Sequence, residues 1–576
     1  MASADGALWL IFNGEIFNYL ELRTELTGRG CRFRSATDTE VVLHGYAEWG
    51  PACLERLNGM FAFALWDARR RELFCARDRL GVKPFYYYGG PGPFVFASEI
   101  KALFAAPCVS RDPDLPALAR FLAHELQDDE HGTSFASVRQ LPPGHWLRID
   151  ARRGASPAIG RWWSLPDDAL EPVPSRHEAA SRVRELFEDA VRLRLRSDVP
   201  VGTCLSGGLD SSSIVCAASG QLRDVDPHAR VRTFSARSED PSIDEGRFID
   251  EVVCATGAEP HDIYPTGETF VRDLERVIWH QEEPFHAPSV FAQYEVMRLA
   301  RQRGVKVLLD GQAGDELFAG YHHFVPPYLA DLWSHGQWRR FQSEWSGHRS
   351  LHGVGARRLG GSVLRAALPA PVVHVLGSVR AQARRSPPLP WLGPALAPLV
   401  PACRPMPRDG RDRLHAALRY AMLRSPLPNY LHHEDRNSMA WSIEARTPFL
   451  DYRLVEYVDR LPASEKIFNG WTKSVLRDAM RGVLPETVRR RADKQGFATE
   501  QGRWFRREAA GLIRDLLTDP RSVRRGWIDP ARARRAATEV VDGGVFDENR
   551  VWRCAAVELW ARVLIDRPLA QVLTPP

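Results

Sequence analysis

Leu205-Ser206-Gly207-Gly208-Leu209-Asp210-Ser211-Ser212 lies between an apolar run at 201–205, which reads as a buried strand, and residues 211–219, which read as the helix that follows it. Two glycines let a backbone approach a phosphate closely, and the hydroxyls add donors. The start of the helix offers free N–H groups and the positive end of its dipole to an anion. The octapeptide therefore reads as a pyrophosphate cradle. It is not of the Walker type, because G-x-x-x-x-G-K-[ST] is absent and no lysine lies near it in sequence. Asp210 makes chemical sense beside a polyanion if a magnesium ion lies between them. The competing reading is a plain Gly-rich turn with a capping serine, and an aspartate with two serines in this setting weighs against it.

Outward from the cradle, Val183, Leu186, Phe187, Ala190 and Val191 recur at helical spacing and form one apolar stripe. A strand is expected at 231–235, a helix at 244–256 closed by Gly257, and a helix through Leu274, Val277 and Ile278. A helix at 290–303 closed by Gly304 and a strand at 305–309 follow. Strands alternating with helices imply a parallel sheet with right-handed crossovers. Its ligands belong beyond the carboxyl ends of the strands, in the loops after Leu205, Ser235 and Leu309. Upstream, from about 7 to 150, short strands at 7–12, 60–66, 85–88 and 94–97 separated by turns suggest a sandwich. Residues 156–175, with Pro157, Pro166, Pro172, Pro174 and Arg161-Trp162-Trp163, read as an ordered linker. The Pro-, Gly- and Arg-rich zone at about 350–412 reads as a surface elaboration.

A chain of 576 residues exceeds one compact domain, so two are expected. Hydrophobic residues at 44%, charged at 26% and aromatic at 10% describe a globular protein and exclude a collagen-like repeat or a coiled-coil rod. The net charge of +5 is small for this length and gives no case for nucleic acid or an anionic membrane. Lysine is scarce: Lys83, Lys101, Lys306, Lys466, Lys473 and Lys494 are the whole set, which makes each worth inspecting. The 9 cysteines are scattered without a C-x-x-C pair, against a zinc ribbon or a disulfide framework and in keeping with a reducing compartment. No apolar run reaches the length of a membrane span, and the start at Met1-Ala-Ser-Ala-Asp-Gly lacks a signal-peptide pattern, so a cytoplasmic location is expected.

The octapeptide resembles the signature of the ATP-pyrophosphatase superfamily, and the rest of the chain resembles the glutamine-hydrolysing asparagine synthetase family. The stretches that carry this are Phe12-Asn13-Gly14-Glu15-Ile16-Phe17-Asn18-Tyr19, Thr37-Asp38-Thr39-Glu40-Val41, Leu57-Asn58-Gly59-Met60-Phe61-Ala62-Phe63 and Ala76-Arg77-Asp78-Arg79-Leu80-Gly81-Val82-Lys83-Pro84. In the second half they are Gly314-Asp315-Glu316-Leu317-Phe318-Ala319-Gly320-Tyr321 and Ser438-Met439 through Glu444-Ala445-Arg446-Thr447-Pro448-Phe449-Leu450-Asp451. They fall in family order over nearly the whole chain.

The resemblance implies a two-domain α/β and α+β protein. Residues 1–155 would be an Ntn-hydrolase-type class II glutamine amidotransferase sandwich, 156–175 a linker, and 176–566 an ATP-pyrophosphatase domain with a doubly wound parallel sheet. The implied reaction joins aspartate, or a related carboxylate, with ammonia or glutamine nitrogen, using ATP and Mg2+ through an acyl-adenylate; self-association into a homodimer stays open. By resemblance Ser206, Gly207, Gly208 and Ser211 hold pyrophosphate, Asp210 and Asp315 hold magnesium, and Leu205, Ala236 and Gly311 surround the nucleotide. Lys494 matches the family lysine that stabilises charge on the reacting groups, a task suited to a point charge on a flexible stem. The 283–289 segment, Asp435 and Arg436 are weaker candidates for the acid pocket. Gln312 stands where well-studied relatives carry a Glu, and a Gln cannot act as a base.

The family's glutaminase uses a cysteine exposed as residue one. This sequence has Ala2, and its Asn13-Gly14-Glu15 falls roughly sixty residues earlier than in full-length relatives, so the opening strands, the nucleophile and an early arginine are expected to be missing. Asn13 and Gly14 match the oxyanion pair and Asp38 the carboxylate that binds the amine of glutamine; this half is therefore expected to be inactive. The alternative on the same fold is activation of another carboxylate, as in β-lactam synthetases and lasso-peptide cyclases. A tRNA-modifying pyrophosphatase would want a concentrated basic surface, and a noncatalytic remnant would not need an intact cradle.

Overall fold

The protein is described from a computed structural model that covers residues 1–126, 131–152, 156–368, 391–400, 412–493, 499–542, 544 and 546–576. In the amino-terminal part, β1 (Leu8–Ile16), β2 (Gly59–Asp67), β3 (Glu72–Arg77), β7 (His145–Asp150) and β8 (Ala158–Arg161) form an antiparallel sheet in that order. β4 (Tyr86–Tyr88), β5 (Val95–Ala97) and β6 (Arg139–Gln140) form a second, ordered β5-β4-β6. Strand alternation explains the layering: Phe61, Phe63 and Leu65 of β2 face one core with Leu22, Leu26 and Val42, while Ala62 and Ala64 face another with Phe85, Tyr87 and Leu147. Small residues on the second face let the two sheets approach. β1 is an edge strand on which Trp9 and Ile11 are exposed.

The carboxy-terminal part is built on five parallel strands: β9 (Val201–Cys204), β10 (Arg232–Ala236), β11 (Glu259–Ile263), β12 (Val307–Leu309) and β13 (Glu444–Arg446), ordered β11-β10-β9-β12-β13. Strands β11 and β13 are invisible to apolar patterning, since Glu-Pro-His-Asp-Ile and Glu-Ala-Arg are largely polar; both lie at sheet edges, where Pro260 is tolerated. The chain leaves β9 to one side for β10 and β11 and returns to the other for β12. The switch point therefore falls between the carboxyl ends of β9 and β12.

Helices α1 (Arg176–Arg194), α2 (Leu209–Val225), α3 (Gly246–Thr256), α4 (Gly267–Gln281), α5 (Ser289–Gln302), α6 (Gly314–Leu317), α7 (Trp338–His352) and α8 (Leu427–Ala440) are those that matter below. The apolar stripe of α1 is buried, and a capping box starts the helix: Glu178 N–H donates to Ser175 Oγ while Ser175 N–H donates to Glu178 Oε2. Gly257 ends α3 with φ 64°. Within the expected linker, 158–161 are the edge strand β8, and Trp163 Nε1 donates to Glu456 Oε1 at 2.7 Å. Of the zone at 350–412, residues 369–390 and 401–411 lie outside the described residues; a helix spans Ala356–Ala367.

Buried polar pairs join the two parts. Lys83 Nζ lies 3.1 Å from Asp435 Oδ1, and Asn58 Nδ2 donates to Asp451 Oδ2 at 2.9 Å. No helix among the described residues is long and apolar enough to cross a membrane.

Candidate active site

A cavity of about 420 Å³ opens at the switch point, a volume that suits a nucleotide-sized ligand. Leu205, Ser206, Gly208, Asp210 and Ser211 line it from the β9 side, Ala236 from the end of β10, and Gly311, Gln312 and Asp315 from the loop after β12. Gly208 is the N-cap of α2, so the first N–H groups of that helix face the cavity end of the cradle. Ser211 Oγ accepts Ser206 N–H at 3.1 Å and lies 3.0 Å from Ser206 Oγ, which folds the turn back on itself. Gly207 has φ 72°, and a Cβ there would lie 2.9 Å from Phe248 Cβ; its carbonyl accepts from Arg491 Nη1 at 3.2 Å.

Asp210, in the first turn of α2, and Asp315, in α6, converge on one cation. Lys473 Nζ lies 2.5 Å from Asp210 Oδ2 and 2.7 Å from Asp315 Oδ1, with all three side chains nearly buried. Glycines make this convergence possible. A Cβ on Gly314 would lie 2.4 Å from Asp210 Cγ, and one on Gly320 would lie 1.9 Å from Asp315 Oδ1 and 2.2 Å from Lys473 Cε. Two carboxylates from the helices that follow the neighbouring strands β9 and β12, with room kept by absent side chains, form an oxygen donor set that suits magnesium. Burial, then the charge of Asp315, pushes Glu316 up to about 7, and Tyr321 Oη donates to it at 3.1 Å. Burial lowers Arg477 of the same wall to about 10.

The family-matched acid segment enters only partly. His286 and Ser289 line the cavity, whereas Glu283 accepts Ser134 N–H at 2.6 Å, away from it. Asp435 and Arg436 are not on this wall: Asp435 pairs with Lys83, and Arg436 Nη2 donates to Ser98 O at 2.8 Å, so both belong to the junction between the two parts. Their place on α8 turns them toward the amino-terminal sheets. Lys494 lies outside the described residues; Arg491, Ala492 and Asp493, just before it, line the cavity. Sequence reasoning missed Lys473, which is 263 residues from Asp210; its scarcity as a lysine was the one available signal.

In the amino-terminal half, Asn13, Gly14 and Asp38 gather at one end of β1. Asp38 Oδ2 accepts Ile16 N–H at 2.9 Å, and Asn13 Nδ2 donates to Ser98 Oγ at 3.1 Å. Gly14 has φ 148°, and a Cβ there would lie 2.1 Å from Met60 O across the β1–β2 pair. Burial, then the charge of Asp38, pushes Glu15 up to about 8.

Comparison with known proteins gives a family model described as asparagine synthase over residues 182–562 and one described as glutamine amidotransferase domain over 1–163. The glutamine-hydrolyzing asparagine synthetase 3 of Bacillus subtilis is 33% identical over 489 residues, covering 83% of this chain and 74% of its own. A putative glutamine-hydrolyzing asparagine synthetase of Mycobacterium tuberculosis is 32% identical over 597 residues, covering 98% and 86%. A solved structure of the allosteric regulatory enzyme of purine biosynthesis aligns at a TM-score of 0.22 and 17% identity over 46% of this chain and 61% of its own, too little to argue from. Matched over most of its length, this chain belongs to the asparagine synthase family and carries a glutamine amidotransferase domain at its amino-terminal end.

Proposed function

We propose that this chain makes asparagine from aspartate, ATP and ammonia. The aspartate side-chain carboxylate attacks the α-phosphorus, pyrophosphate leaves, and ammonia attacks the resulting acyl-adenylate to release AMP and the amide. The observation that carries this reading is the meeting of Asp210, Asp315 and Lys473 at the mouth of a phosphate cradle. The N–H groups that open α2, with Ser206 and Ser211, bind the departing pyrophosphate. Lys473 sets a positive charge between two acids, where a polyanion would otherwise be repelled. Asp210 and Asp315 would hold magnesium, which supplies charge neutralisation on the polyphosphate. Lys494 is assigned to the reacting phosphoryl and acyl groups, supported by the residues immediately before it on the cavity wall. Residues 156–175 are taken as the passage between 1–155 and 176–566, with 158–161 completing the amino-terminal sheet as β8.

Pyrophosphate release that depends on both aspartate and ammonium, and is abolished by Asp210→Asn, is the expected result. ATP turnover indifferent to aspartate would overturn the substrate. The presence of Gln312 on the cavity wall favours, as second reading, another carboxylate of the kind β-lactam synthetases and lasso-peptide cyclases activate, and a carboxylate panel in the same assay separates the two.

Glutamine hydrolysis by this chain is not expected. Cys53 and Cys75 are fully buried, burial pushes the Cys53 thiol up to about 12, and burial also raises Cys31, so none of these has thiolate character at neutral pH. Glutamate release from glutamine that thiol alkylation abolishes would refute this.

A further inference from the structure

His322, His348 and His352 come together outside the cavity, each offering one ring nitrogen, and the three nitrogens lie within 4.8 Å of one another. His348 and His352 are four residues apart on α7, the spacing that puts two rings on one helix face. His322 opens a short 3-10 turn, His322–Phe324, directly after Tyr321 of the cavity wall. Ring centroids lie 4.5 Å apart for 348 and 352, 4.6 Å for 322 and 352, and 5.6 Å for 322 and 348.

One nitrogen of the cluster is buried without a partner. His348 is 2% exposed, and its Nδ1 has no hydrogen-bond partner among the described residues, an unfavourable state for a buried polar atom. His352 Nδ1 lies 3.1 Å from Ala492 O and Nε2 lies 3.3 Å from Gly470 O. A neutral imidazole carries one N–H, so it serves one carbonyl and holds a lone pair on the other nitrogen.

The helix bearing two of the rings is fixed in place. A Cβ on Gly347 would lie 2.5 Å from Asn469 O, and one on Gly470 would lie 2.2 Å from His348 N, so bare backbones touch at this junction. Glu344 accepts Asn469 N–H at 2.9 Å and Gly470 N–H at 2.8 Å. The turn so held leads into Lys473.

We propose that His322, His348 and His352 bind a divalent transition-metal ion of the zinc class through three imidazoles, with solvent completing the shell. A magnesium ion prefers oxygen and does not compete for such a set. The bound ion ties the turn after Tyr321 to α7 and, through Glu344 and the glycine contact, to the turn before Lys473. None of the three histidines lines the cavity, so its role is structural, and the inference does not depend on the proposed reaction.

The test uses the full-length protein, stripped with a chelator and titrated with zinc chloride in excess magnesium, with bound zinc counted after desalting. The expected result is one equivalent retained by the wild type and a raised melting temperature. His322→Ala, a change at an exposed ring, and His352→Gln should each weaken zinc binding about tenfold or more. His335→Ala, outside the cluster, should leave it unchanged. With cobalt(II) as the probe, visible bands of a nitrogen-ligated site should appear in the wild type and be lost in both cluster variants. No retained zinc, or retention equal in the wild type and both cluster variants, overturns the proposal.

Discussion

Lys473 Nζ lies 2.7 Å from Asp315 Oδ1 and, from the same position, 2.5 Å from Asp210 Oδ2, so one ammonium joins two carboxylates from opposite sides of the sheet's switch point. Removing it leaves two nearly buried acids facing each other without the ammonium between them. Lys473→Met is expected to lower the rate of pyrophosphate release by about 10²–10³-fold, the scale of losing a preorganised charge in a dry site. A rate within twofold of the wild type, on protein of unchanged circular dichroism, would remove Lys473 from the proposed machinery.

Glycine 320 is expected to be as demanding as the charges it serves. Gly320→Ala would put a methyl group 1.9 Å from Asp315 Oδ1, so activity should fall sharply while the melting temperature shifts modestly. Gly220, inside α2, has nothing within 4 Å of a built Cβ. Gly220→Ala should therefore stabilise the fold by about 0.5–1 kcal/mol with no effect on rate, read as a higher melting temperature.

The junction between the two parts rests on buried charge. Lys83→Met leaves Asp435 buried without its ammonium, and a destabilisation of about 3–5 kcal/mol is expected from denaturant unfolding. The double variant Lys83→Met with Asp435→Leu should recover much of that loss. Equal stability of the single and double variants would show that the pair contributes no coupling.

Asp451 supplies a pH dependence with a definite sign. Burial alone would raise its carboxyl, but hydrogen bonds from Arg453, the charges of Arg194 and Arg453 and the amide of Asn58 overcome this and hold it at about 2, below the ordinary 3.8. A depressed folded value contributes stability above the unfolded value that is lost as pH falls from 3.8 toward 2, on the order of 2 kcal/mol for this shift. The stability difference between the wild type and Asp451→Asn should thus shrink over that window. A difference that stays constant between pH 5 and 2, limits taken roughly around it, would contradict the assignment.

Much of the carboxy-terminal sheet is legible because central strands carry short apolar runs between amphipathic helices, as at 201–205 and 307–309. The edge strands Glu259–Ile263 and Glu444–Arg446 are not, since a strand exposed along one side or only three residues long has no apolar period to reveal it. The turn at 205–212 with Asp210 was readable because its residue types are contiguous, whereas Asp315 was reached through the family resemblance.

By itself the sequence determined the Gly-rich turn at 205–212 and the alternation of strand and helix that fixes the switch point. Tertiary structure alone decided that Lys473 is the shared partner of Asp210 and Asp315, that Asp435 and Arg436 serve the junction instead of the cavity, and that His322 meets His348 and His352. The physical reason is separation along the chain: local patterns are set by neighbouring residues, whereas these contacts join side chains up to hundreds of residues apart. Glycines 314, 320, 347 and 470 let the backbones that bear them approach only once the fold has closed.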